Sequence, residues 1–129
     1  MGILGAMAGI VFVLFLASMA LAHDQHRPDL DSWYASLKRG DGFPCCNVSD
    51  CHPTEAELRN GEWWGKVGPR KGDGGWELLG WVKIPANVIL SGKQNQAGEP
   101  VICHSMAFDG AHFDPARVQV YCFVVPDLS

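Results

Sequence analysis

Val118-Gln119-Val120-Tyr121-Cys122-Phe123-Val124-Val125 is the stretch that decides the fold. It is rich in β-branched and aromatic residues and is bounded by Arg117 and Pro126. A period of two places Val118, Val120, Cys122 and Val124 on one face of a strand. Working backwards, Asp109 to Asp114 reads as a turn, Val101 to Ser105 as a strand and Ser91 to Pro100 as a polar loop. Ala86 to Leu90 is a short turn-like segment after Pro85. Trp76 to Ile84 is a strand, or two short ones, broken near Gly80. Arg70 to Gly75 is a glycine-rich turn, and Glu62 to Val67 a strand between Asn60-Gly61 and Gly68-Pro69. Short strands punctuated by Gly and Pro predict a mainly β fold: a small antiparallel sheet, sandwich or barrel.

Upstream the pattern changes. Phe43 to Pro53, FPCCNVSDCHP, reads as a cysteine-rich loop because its prolines and turn formers interrupt any period. Pro28 to Arg39 reads as one short N-terminal helix that Gly40 and Gly42 stop. Its apolar positions Leu30, Trp33, Tyr34 and Leu37 share a face that caps the core.

The first 22 residues carry no charged side chain. An apolar run from Gly2 to Leu16 is followed by Ala20-Leu21-Ala22, a small-x-small cleavage pattern, and then by polar His23. This predicts a signal peptide over 1–22 and one small exported domain over 23–129, secreted or periplasmic, with no stable membrane span after cleavage. The alternative is an uncleaved N-terminal membrane anchor, since the run approaches the ~20 residues a spanning helix needs. Net charge is −4, and Lys38-Arg39 and Arg70-Lys71 are isolated basic pairs. Neither composition nor patterning suits a nucleic-acid partner.

Trp33-Tyr34-Ala35-Ser36-Leu37-Lys38, then Cys45-Cys46, then Gly80-Trp81-Val82-Lys83-Ile84-Pro85, and finally Cys122-Phe123-Val124-Val125-Pro126 occur in that order. The order resembles a group of small exported bacterial proteins of unknown function. The resemblance implies an exported domain and supplies no activity.

Five cysteines, Cys45, Cys46, Cys51, Cys103 and Cys122, sit in a chain bound for an oxidising compartment, so disulfides are expected. An odd count leaves one thiol. Adjacent Cys45 and Cys46 are too strained to bond each other. From the residues alone two schemes remain: Cys103 with Cys122 across a hairpin, or the cysteine-rich loop stapled onto both late strands. The resemblance implies the second, because group members keep the C-C pair and the terminal cysteine without the other two. It pairs Cys51 with Cys103, and Cys46 with Cys122, with Cys45 as the alternative to Cys46.

The remaining candidates are weaker. Cys/His mixtures bind soft metals, but the spacing matches no finger or ribbon. Cleavage would expose His23, whose amine and imidazole could hold copper with a second histidine. An alternative metal set is therefore His23, His52, His104 and His112. Asp109-Gly110-Ala111-His112-Phe113-Asp114 brings carboxylates near a histidine, yet Asp and Gly belong in turns for backbone reasons. Trp63 and Trp64 are consecutive, so on a strand one of them faces away from the core and marks a binding surface. The sequence thus predicts a non-enzymatic exported binding or structural module of the cell envelope. Its partner is envelope or extracellular, with no catalytic residues and no cofactor. The alternative is a periplasmic copper, zinc or thiol-redox protein.

Overall fold

A computed structural model describes residues 27–46 and 50–127. The predicted signal peptide, with His23, lies outside the described residues. Among the described residues, seven strands form two sheets. β1 (Asp50–Pro53), β5 (Ile89–Leu90), β6 (Val101–Met106) and β7 (Val118–Val124) make one, in the order β1-β6-β7-β5. β2 (Ala56–Arg59), β3 (Glu62–Val67) and β4 (Gly80–Lys83) make the other, in chain order. Among the described residues the fold is mainly β, with one short helix and two disulfides, and it is not a closed barrel.

The four-stranded sheet is the middle layer. One face packs on the N-terminal segment: a 3-10 turn at Pro28–Leu30 running into α1 (Asp31–Ser36). Pro28 suits the first turn because its missing N–H has no intrahelical acceptor there. Leu30, Trp33, Tyr34 and Leu37 bury against Cys45, Cys51, Val101, Cys103, Cys122 and Val124. The helix is shorter than the sequence predicts, because Leu37 turns extended (φ −65°, ψ 125°) and Lys38 bridges to Pro44. The opposite face packs on the three-stranded sheet, where Ile102, Val120 and Phe123 meet Val67, Val82, Ile84 and partly buried Trp63.

β7 serves both cores, but not as simple alternation requires. Its pairing with β6 shifts between Cys103↔Cys122 and His104↔Val120, which leaves Tyr121 as an extra residue. A bulge inverts side-chain parity on the strand that carries it. Cys122 and Val124 therefore face α1, while Val118 and Val120 face the other sheet with Phe123. The single shared face expected for these four residues is overturned by that one insertion. Two further differences concern pairing. The end of the cysteine-rich loop forms β1, held by register with β6. The turn-like segment before Ser91 ends in β5, which pairs parallel to β7 in an otherwise antiparallel sheet.

Candidate functional site

Alternation along β3 separates the two adjacent tryptophans. Trp63 turns inward and packs on Phe123, with ring centroids 5.6 Å apart. Trp64 turns outward, where Trp81 of β4 joins it. The Arg59 guanidinium stacks over both rings, 4.6 Å from the centroid of Trp64 and 4.9 Å from that of Trp81. A cation over aromatic faces holds the two indoles in place. Of the two adjacent tryptophans, one of which alternation sends away from the core, Trp64 takes the outward place, and it shares its surroundings with Trp81, on which no expectation rested.

Beside these rings lies a cleft of about 450 Å³, bounded by Trp64, Trp81 and Lys83 on one side and by Val118, Gln119 and Val120 on the other. Pro85 and Pro115 also line it. Both walls are strand edges. β4 is the last strand of its sheet. Ile84 N–H donates to the Trp63 carbonyl, so by antiparallel alternation Val82 bonds inward while the backbones of Trp81 and Lys83 point outward. On β7, Ala107 N–H donates to the Arg117 carbonyl, which turns the backbones of Val118 and Val120 away from β6. β5 pairs only with Phe123 and Val124, so it does not reach these positions.

The cysteines gather on the opposite side of the molecule. Cys51, Cys103 and Cys122 stand in register across β1, β6 and β7 and belong to the core that faces α1. The turn that follows α1 brings the C-C pair over them. Gly42, at φ +86°, reverses the chain, the Asp41 carboxylate accepts the Phe43 N–H, and Cys45 N–H donates to the Leu37 carbonyl. Phe43 then stacks on Tyr121 at 5.9 Å. Cys45 bonds Cys122, and Cys51 bonds Cys103. Of the adjacent pair it is thus Cys45, not Cys46, that takes Cys122: its side chain points inward and is fully buried, while Cys46 is only partly covered. Cys103 and Cys122, the hairpin alternative, are direct neighbours in register but bond elsewhere. The Cys46 thiol donates to the Tyr34 carbonyl at 3.1 Å, and its Sγ lies 2.8 Å from Cys51 Sγ. Burial, with a smaller contribution from the Asp50 carboxylate, pushes this thiol up to about 12.

Between the two sheets sits a buried histidine pair. His52 and His104 meet Nε2 to Nε2 at 2.9 Å. His52 Nδ1–H donates to the Pro53 carbonyl at 2.7 Å, so its Nε2 accepts and His104 Nε2–H donates. Trp76 stacks on His52 at 4.1 Å, and Arg70 caps Trp76 at 4.8 Å. Burial drives both imidazoles down, His52 to about 3 and His104 to about 4, so both are neutral at pH 7. Two of the four histidines considered as metal ligands are therefore adjacent, engaged with each other. His112 is exposed in the loop before β7, where the Asp109 carboxylate accepts the N–H groups of Ala111 and His112 and the Asp114 carboxylate accepts that of Ala116. Those carboxylates shape the turn. The histidine pair was not legible as a pair, since 52 residues separate its members.

Among the described residues no helix is long and apolar enough to cross a membrane. Comparison with protein-family models, curated proteins and solved structures found no match.

Proposed function

We propose that this chain is an exported, non-enzymatic binding module of the cell envelope that takes an extended polypeptide into the cleft beside Trp64 and Trp81. The observation that carries the reading is a pair of strand edges that face one cleft and are unpaired among the described residues. A free edge offers a row of backbone donors and acceptors, and an added strand satisfies them while neighbouring pockets read its side chains. The cleft volume of about 450 Å³ falls within the usual range for ligand sites. The charged neighbours Lys83 and Glu62 neutralise each other at 2.7 Å, which favours a ligand recognised by backbone and apolar contacts over a strongly charged one. Export is supported by the uncharged leader and the small-x-small pattern at Ala20 to Ala22. Both disulfides suit an oxidising compartment.

The reading is tested by panning immobilised protein against a phage-displayed library of 12-residue peptides. Enriched peptides should bind the parent chain and lose at least tenfold in affinity against Trp81→Ala or Trp64→Ala, with both variants melting within a few degrees of the parent. Enrichment that both variants retain, or none at all beside a positive control target, would count against it.

A further inference from the structure

We infer that Cys46 is the nucleophile of a built-in thiol–disulfide exchange site whose electrophile is the Cys51–Cys103 bond. The inference is independent of the cleft. It rests on where the five sulfurs lie. Cys46, Cys51 and Cys103 present sulfurs within 4.8 Å of one another. The Cys46 sulfur is already in contact with Cys51 Sγ, at 2.8 Å, while the Cys51–Cys103 bond is intact. Exchange requires a thiol sulfur to approach one sulfur of a disulfide, and here the fold holds the thiol beside the bond.

The step balances without an outside reagent. The Cys46 thiol loses its proton to solvent, and its sulfur attacks Cys51 Sγ. A Cys46–Cys51 bond forms and the Cys51–Cys103 bond breaks. The electron pair of the broken bond leaves on Cys103, which takes up one proton. The number of disulfides and of thiols is unchanged. What changes is topology: a bond between strands β1 and β6 becomes a local ring spanning Cys46 to Cys51. The Cys45–Cys122 bond stays in place throughout. β1 is then held to β6 by backbone pairing alone, and it is the strand that carries His52 against His104.

The surroundings set the rate. The thiol that must ionise is partly covered and donates its proton to the Tyr34 carbonyl. Burial keeps it protonated at neutral pH, so only a small fraction is thiolate. Exchange is therefore slow at pH 7, and its rate should rise about tenfold for each pH unit while the thiol remains mostly protonated.

The experiment uses the oxidised, folded protein without added thiol. Samples held between pH 7 and pH 10 are quenched in acid, denatured, alkylated with N-ethylmaleimide at controlled pH and mapped by peptide mass spectrometry. The expected result is a Cys46–Cys51 peptide with alkylated Cys103, growing at a rate that is independent of protein concentration and tenfold higher per pH unit. Cys46→Ser should show none of it. A second variant, Cys103→Ser, refolded in a glutathione redox buffer, should close the Cys46–Cys51 bond. Alkylation confined to Cys46 across the pH range, a rate that scales with protein concentration, or two persistent thiols in Cys103→Ser would each overturn the inference.

Discussion

At the scale of single residues, chemistry here follows burial. His52 and His104 are aromatic cations in waiting that the fold keeps neutral, one donating to the other in a space lined by Trp76. Unfolded, each imidazole takes up a proton as pH falls below about 6.5. Folded, His104 does so only near 4 and His52 near 3. Over that window the unfolded chain binds more protons than the folded one, so this contribution to stability is whole above pH 6.5 and is lost as pH falls. Each histidine contributes a slope of up to about 1.4 kcal/mol per pH unit. Urea unfolding at pH 7.5, 6 and 5 should show the midpoint falling across that interval, and the imidazole proton signals of the pair should keep neutral-ring shifts down to about pH 5. The choice between Cys45 and Cys46 belongs to the same scale. Identical neighbours in sequence offer no signal to separate them. What decides is the turn after α1, which aims Cys45 into the core and leaves Cys46 at its margin.

At the scale of elements, the sequence speaks clearly where a strand carries its own alternation and poorly where pairing alone makes it. Glu62–Val67 is a strand by pattern and by structure, with Asn60 and Gly61 at positive φ in the turn before it. β1 is the contrary case. Asp, Cys, His and Pro carry little strand preference, yet backbone pairing with β6 and a covalent bond to Cys103 hold them extended. The bulge at Tyr121 is silent in sequence because a period of two continues to read smoothly through an inserted residue. Close approach of chain segments is equally silent. Gly68, which reads as an ordinary turn glycine, lies where β3 ends against the segment before β4. A methyl group there would fall 1.5 Å from the Glu77 carbonyl oxygen, a backbone atom that cannot rotate aside. Gly68→Ala should therefore destabilise the protein by at least the ~1–3 kcal/mol typical of overpacking. Gly40→Ala, with open space around it, should cost under ~1 kcal/mol. Thermal melts of the two variants side by side check this. The outward indole of Trp64 was foreseeable from alternation, but its partner Trp81 comes from register between β3 and β4, which no local pattern encodes.

At the scale of the whole molecule, a small chain sets three layers around two cores; Cys45–Cys122 ties the segment after α1 to the middle layer, and Cys51–Cys103 fastens two strands within that layer. The bonds close long loops, spanning 77 and 52 residues of sequence. In the chain-entropy model each such closure is worth roughly 4 kcal/mol, and removing a native disulfide from a small secreted domain typically costs about 2–5. Reduction should therefore lower the urea midpoint sharply, whereas Cys46→Ser should barely move it. Equal midpoints for reduced and oxidised protein would contradict that expectation.

The nesting of the two bonds also fixes how the molecule carries tension. A pull applied to the chain before Cys45 and after Cys122 crosses by the bond between them, so the peptide chain between those residues lies off the load path. Within that sheltered stretch, Cys51–Cys103 fastens a second, inner loop that holds β2, β3, β4 and β5. The cleft walls thus belong to a part of the protein that can be tethered at either end without being stretched.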